Sequence, residues 1–241
     1  MIPANKKPTF MKLFDHYLKW YLIPKTFHAV HVKGQLDQEN SHPNLYIINH
    51  SSWWDGPILY FLTQRRSQQD HYVMMDEQGL RCYPFFGKLG AFSVNKEKPR
   101  DLIETFRYTE NLFKKDKSVW LFPQGQVYHQ DATPFKFEQG LGRLIQLNKT
   151  VNVIPVTFHY YFLEVQKPMV SIVIGKAHTI ISANKKRKEW VHYFENVMTE
   201  QYHNQKQALI VDLNYHKSDA LTPLIKPKKS TSDWLDWLKR R

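Results

Sequence analysis

One cysteine, Cys82, occurs in 241 residues. A single thiol excludes an internal disulfide framework and fits a reducing compartment. Its neighbours Arg81 and Tyr83 give it no nucleophile signature. No apolar run approaches the roughly 20 residues a helix needs to cross a bilayer. Lys6 and Lys7 are not followed by an uninterrupted apolar stretch with a small-residue cleavage site, so the start does not read as a secretory signal. The 12 histidines are scattered, with no Cys/His cluster and no H-E-x-x-H, which argues against a structural metal. Zinc-finger spacing, RNP patterns and a helix-turn-helix are also missing. The formal charge of +12 therefore points away from nucleic acid and toward an anionic membrane surface or acidic small ligands and carrier proteins.

What is present is apolar and aromatic. Hydrophobic residues make up 42% and aromatics 15%, enough for a sizeable core. Strand-like runs at Ala29–Val32, Tyr46–Ile48, Tyr72–Met75, Phe92–Val94, Val119–Phe122, Val151–Thr157 and Val170–Ile174 alternate with helical patterns at Trp54–Thr63, Asp101–Lys114 and Leu141–Leu147. That alternation predicts an α/β fold, a mixed central sheet covered by helices. An N-terminal amphipathic helical segment (1–27) precedes an α/β domain (28–213), and a linker with a Trp-rich basic tail (214–241) follows. The first segment is aromatic and partly basic, and Pro24 is read as its end. Its pattern suits a membrane interface and a face packed on the core equally well. A polar helix is read from Asn184 to about Val211.

The chemistry concentrates at Asn49-His50-Ser51-Ser52-Trp53-Trp54-Asp55, directly after the apolar run Leu45-Tyr46-Ile47-Ile48. Residues five apart do not share a helix face, so His50 belongs on the turn before the helix. Ser51 or Ser52 would cap that helix and Asp55 would lie in its first turn, able to point back at His50. A carboxylate on one ring nitrogen leaves the other free as a base. Ser52 to Asp55 is equally an S-x-x-D capping box, in which Asp55 only satisfies a backbone amide. A second copy of the spacing, His71 to Asp76, falls on a strand whose alternation sends the two side chains apart.

Four blocks in order carry a resemblance. They are Asn49-His50 through Asp55, Phe86-Gly87-Lys88-Leu89-Gly90 through Asn95, Trp120-Leu121-Phe122-Pro123-Gln124-Gly125, and Ile154-Pro155-Val156. Together they resemble the motifs of the lysophospholipid (1-acylglycerol-3-phosphate) acyltransferase family. The resemblance implies transfer of a fatty acyl group from a thioester donor, acyl-CoA or acyl carrier protein, to a lipid hydroxyl, with no metal or other cofactor. It makes His50 the general base and Asp55 its partner. It also implies substrate-binding roles for Asn49, Gly87, Asn95, Lys96, Phe122, Pro123, Gln124, Gly125, Gln126 and Pro155. The setting it implies is the cytoplasmic face of a membrane, held peripherally or monotopically.

The chain departs from the family pattern. Gln124 stands where the third block usually has Glu, and Gln126 and Val127 stand where Thr and Arg would follow. Asn95 stands where the second block usually ends on Arg. Arginine holds phosphate bidentately and lysine only as a point charge. A lysophospholipid is the default acceptor, with Lys88 or Lys96 replacing an arginine. A sugar or glycosylated lipid, such as a carotenoid glycoside, is the alternative that the neutral residues favour. A lipid-binding protein that has lost the reaction is the second alternative.

Overall fold

The computed structural model describes residues 1–38, 41–212 and 221–225. Among these, nine strands form one sheet: β1 (Ala29–Lys33), β2 (Asn44–Ile48), β3 (His71–Asp76), β4 (Ala91–Val94), β5 (Ser118–Leu121), β6 (Thr150–Tyr161), β7 (Met169–Ile174), β8 (His178–Ile181) and β9 (Thr222–Ile225). Their order is β4-β3-β5-β2-β6-β7-β1-β9, with β8 against the first part of β6. Strands β4, β3, β5, β2 and β6 run parallel, so their C-terminal ends share one edge. Strand β7 runs antiparallel to β6, β1 parallel to β7, and β9 antiparallel to β1. The sheet is mixed, as the sequence predicts.

Helices cover both faces, which is why the central strands read as continuous apolar runs. Tyr46 and Ile48 of β2 face a core shared with Leu18, Ile23 and the helix α3 (Asp55–Arg66). Leu45 and Ile47 face the other core, with α5 (Pro99–Phe113), α6 (Gly140–Ile145) and α7 (Arg187–Val211). Pro155 sits inside β6 where its antiparallel partner changes. Residues Thr150–Val153 pair with β8 and Val156–Tyr161 with β7. A proline has no N–H to offer a ladder, so the hand-over is where one is tolerated.

Several local readings are corrected. Pro24 does not end the first helix. The chain runs as α1 (Pro8–Tyr17), a π-helical turn over Leu18–Leu22 and α2 (Ile23–Thr26), with Ile23 N–H donating to the Leu18 carbonyl. The widened turn takes up the misfit of a proline that lacks an N–H and crowds the preceding turn. Strand β8 and the short helix α4 (Glu77–Cys82) are additional to the sequence reading, and β9 lies in the stretch read as linker. Helix α7 begins at Arg187, after a 3-10 turn at Ser182–Asn184. The reading of 233–241 as a Trp-rich tail falls outside the described residues.

The second histidine–aspartate spacing separates as expected. Asp76 caps α4 through the Gln78 and Gly79 amides. His71 is buried and its Nδ1 accepts the Trp120 indole N–H at 2.9 Å. Burial holds its pKa down at about 4, against an ordinary value of 6.5. The unfolded chain thus takes up a proton near pH 6.5 that the folded chain refuses until about pH 4. Stability is complete above about 6.5 and falls as pH drops toward 4, by on the order of 3 kcal/mol from this group. The Tm of the protein will fall between pH 7 and pH 4.5, and the fall will be shallower in His71→Asn. An identical slope in the variant would reject the assignment to His71.

Candidate active site

The site is built where β2 ends. Asn49, next after the strand, is buried, and its side-chain amide takes both backbone groups of Phe158 in β6, donating at 3.0 Å and accepting at 2.7 Å. It extends the β2–β6 pairing by one residue and fixes where the chain turns. His50 follows on that turn. Its main-chain N–H donates to Gln124 Oε1 at 2.7 Å, and its carbonyl accepts the Tyr128 N–H at 3.0 Å. The ring lies against Phe122, with centroids 4.4 Å apart.

Asp55 opens α3 and is fully buried. Its Oδ2 accepts from His50 Nδ1 at 2.8 Å, from Ser51 N–H at 2.8 Å and from Ser52 N–H at 2.9 Å. Its Oδ1 accepts the Tyr160 hydroxyl at 2.5 Å. Both sequence readings of Asp55 therefore hold at once: it reaches back to the preceding amides and it holds the histidine. The serines do not cap the helix through their side chains, because α3 starts at Asp55 itself, and Ser52 Oγ accepts from Trp54 N–H instead. With Nδ1–H given to Asp55, the free nitrogen of His50 is Nε2.

Tyr160 is the site residue that sequence reasoning missed. It lies 105 positions from Asp55, and no spacing rule links the two. Burial first, and the Asp55 charge second, raise its pKa well above the ordinary value of 10, so it remains a donor. Gln130 ties the same residue to the loop after β5, accepting from Tyr160 N–H and donating to its carbonyl, both at 3.0 Å.

A cavity of about 1190 Å³ opens beside His50 at the C-terminal edge of the parallel strands, the usual ligand position in open α/β sheets. Phe122, Pro123, Gly125, Gln126 and Lys96 line it with His50. Gly125 has φ +74°, and a Cβ there would collide with the Lys96 ammonium. Lys96 pairs with Glu138 at 2.9 Å. Gln126 donates to the Tyr128 hydroxyl at 2.7 Å.

The other residues assigned to substrate stand elsewhere. Asn49 and Gln124 are buried and spent on backbone groups. Asn95 holds a turn through the Glu97 N–H and reaches toward Glu77. Gly87 lies in the 3-10 turn Pro84–Leu89, where its carbonyl accepts from Asn5 N–H. Pro155 is inside the sheet. These positions form the frame rather than the cavity wall. Among the described residues, no group of three or more His, Cys, Asp or Glu side chains gathers to hold a metal ion.

Fold and site together define a class: an α/β protein whose histidine, oriented by a buried carboxylate, faces a largely apolar cavity and can take a proton from a hydroxyl. The sequence profile of the acyltransferase family matches residues 29–159, more than half of the chain. The chain belongs to that family and is an acyltransferase. Its fold is similar to that of the 1-acyl-sn-glycerophosphate (LPA) acyltransferase PlsC from Thermotoga maritima, with a TM-score of 0.53 at 16% identity, covering 80% of this chain and 79% of that one. No curated protein sequence matches the chain.

Asn49→Ala leaves the buried N–H and C=O of Phe158 unpaired. It will destabilise the protein by about 2–4 kcal/mol. The loss is read as a lower denaturation midpoint, and an unchanged midpoint would remove Asn49 from the frame.

Proposed function

We propose that the protein transfers a fatty acyl group from a thioester to the hydroxyl of a lipid, with His50 as general base and Asp55 holding it in place. The observation that carries this is the four-donor seat of Asp55, which presents His50 Nε2 to the cavity. A neutral hydroxyl is a weak nucleophile. Nε2 takes its proton as the oxygen bonds to the thioester carbonyl carbon. The carbon–sulfur bond then breaks, and the departing thiolate receives the proton from His50. The oxyanion formed between the two steps needs fixed donors. We assign these to the Gln126 and Val127 main-chain N–H groups, which have no acceptor among the described residues and lie on the loop that Tyr128 pins to the His50 carbonyl.

The cavity has an apolar wall on the α3 face of the sheet. Leu59, Val73, Phe86 and Leu89 form it, a surface suited to an acyl chain.

The acceptor comes from a membrane surface in this reading. Helix α1 and the turn after it bury Leu18 and Ile23 in the core but expose Leu13, Tyr17, Trp20 and Tyr21, with Trp20 57% exposed. Trp53 and Tyr83 expose further aromatic surface. Lys19 and Lys25 lie over the Trp20 and Tyr21 rings. Aromatic and basic side chains of this kind seat a helix at the headgroup level. No helix of the described residues is long and apolar enough to cross a membrane.

A lysophospholipid is the default acceptor. The Lys96–Glu138 pair favours a second reading. Lys96, one of the two lysines that could replace an arginine, is already matched by a carboxylate, and Gln126, also on the cavity wall, is a neutral hydrogen-bonding group suited to a sugar.

Acyl transfer by the purified protein on anionic vesicles tests the reading, with acyl-CoA and acyl carrier protein as donors and lysophospholipids and glycosylated lipids as acceptors. His50→Ala and Asp55→Asn will each reduce turnover by about 10²–10⁴-fold. Tyr160→Phe will reduce it less, about tenfold, because three of the four donors to Asp55 remain. Product only on glycosylated acceptors selects the second reading. Turnover that survives in His50→Ala rejects the mechanism. Sedimentation with anionic vesicles will fall several-fold in the double variant Trp20→Ser/Tyr21→Ser, and equal sedimentation would remove this face from membrane contact.

A further inference from the structure

Strand β6 outruns its neighbour β2. The pairing of the two ends at Ile48 against Val156, whereas β6 continues to Tyr161. Past that point alternate residues of β6 turn their N–H and C=O groups toward the side that β2 has left. Those groups belong to Phe158 and Tyr160. Main-chain groups withdrawn from water need partners. The Asn49 amide takes both groups of Phe158, and the Gln130 amide takes both groups of Tyr160, each at 3.0 Å. Two side chains thus continue the ladder where the strand stops. An amide suits this task because it carries a donor and an acceptor side by side.

Gln130 belongs to residues 122–139, the stretch between β5 and α6 that holds no regular element. The second half of this loop is fastened to α7. Phe135 N–H donates to Thr199 Oγ1 at 3.0 Å, Phe137 N–H donates to Glu195 Oε1 at 2.8 Å, and Lys206 pairs with Asp131 at 2.5 Å. The first half carries Gln126 and Val127 on the cavity wall and meets the site through the Tyr128 N–H on the His50 carbonyl. Residues 126–129 are exposed, and Gln130 is half-buried. It is therefore the point where the loop turns inward. There it grips the strand residue whose hydroxyl reaches Asp55.

We propose that Gln130 is a positioning residue of the acyl transfer. It registers the loop that carries the Gln126 and Val127 N–H groups against the strand that completes the Asp55 seat. The proposal rests on the general-base reading above and adds the side chain that joins its two halves, the oxyanion donors and the held histidine. Such donors act only when fixed in place before reaction, and a misplacement of about 1 Å costs up to about 10²-fold in rate. Gln130 touches no reacting atom, so its removal should weaken the transition state and leave substrate binding intact.

Amide hydrogen exchange and steady-state kinetics on the full chain test this together. In Gln130→Ala the Tyr160 amide should exchange faster, and so should the Tyr128 amide, while the Phe158 amide held by Asn49 keeps its wild-type rate. Faster exchange at Tyr160 alone is what a local structural role gives, and it would overturn the proposal. Turnover should fall about tenfold in kcat and equally in kcat/KM, with KM within about twofold. Unchanged kcat, or a change confined to KM, would overturn it as well. Gln130→Glu keeps the length and the acceptor but not the donor, and serves if the alanine variant does not fold. It should change both readouts in the same direction by a smaller factor. Lys206→Ala releases the same loop from α7 at an exposed ion pair and should keep kcat within about twofold. A loss as large as that of Gln130→Ala would show that any tether of the loop suffices, which also overturns the proposal. If the wild type shows no His50-dependent turnover, the acyl-transfer reading falls, and the exchange rates still decide whether Gln130 registers the loop.

Discussion

The site depends on a carboxylate with no access to water. Burying Asp55 would cost several kcal/mol if its charge were not met by hydrogen bonds. Four donors meet it, from the histidine, two consecutive main-chain amides and a tyrosine. They come from two parts of the chain. The amides come from the turn that Asn49 starts, the histidine from the same turn pinned by Gln124 and Tyr128, and the tyrosine from the far half of β6. The turn, the helix start and the strand are thereby locked to one another, and the histidine is held as a consequence.

This arrangement explains how the chain accommodates its departures from the family pattern. Gln124 presents an oxygen to the His50 N–H, which is the acceptor role a glutamate would fill at that position. The exchange keeps the loop in place while removing a charge from a buried position. Lys96 and Glu138 cancel at the cavity wall around Gly125, whose missing side chain leaves room for the ammonium. Among the described residues, the positive charge that lines the cavity without a carboxylate partner lies instead on Arg107 of α5, Arg143 of α6 and Arg187 of α7.

The N-terminal helix joins two demands that its sequence pattern left open. Its inner face completes the core over α3, through Leu18 and Ile23 with Phe10, Met11 and Phe14 packed beside them. Its outer face stays aromatic and exposed. The π-helical turn before Pro24 rotates the following residues relative to a regular helix, so one segment can serve both faces.

The α/β alternation, the buried central strands and the candidate pair His50/Asp55 were legible in the sequence, because they rest on local periodicity and on residues five apart. Strands β8 and β9 were not, being short and held by pairing with distant strands rather than by pattern. Motif membership did not separate cavity wall from frame. Phe122, Gly125 and Lys96 reach the cavity, whereas Asn49, Gln124 and Pro155 are consumed by the backbone. The sequence by itself determined the chemistry available at the end of β2, since a histidine on a turn and an aspartate at a helix start can meet within one loop. The tertiary structure alone decided what stabilises that pair and what surrounds it. Tyr160 meets Asp55 only when β6 pairs beside β2 in one sheet, and a contact between residues so far apart in the chain leaves no periodic trace in the sequence.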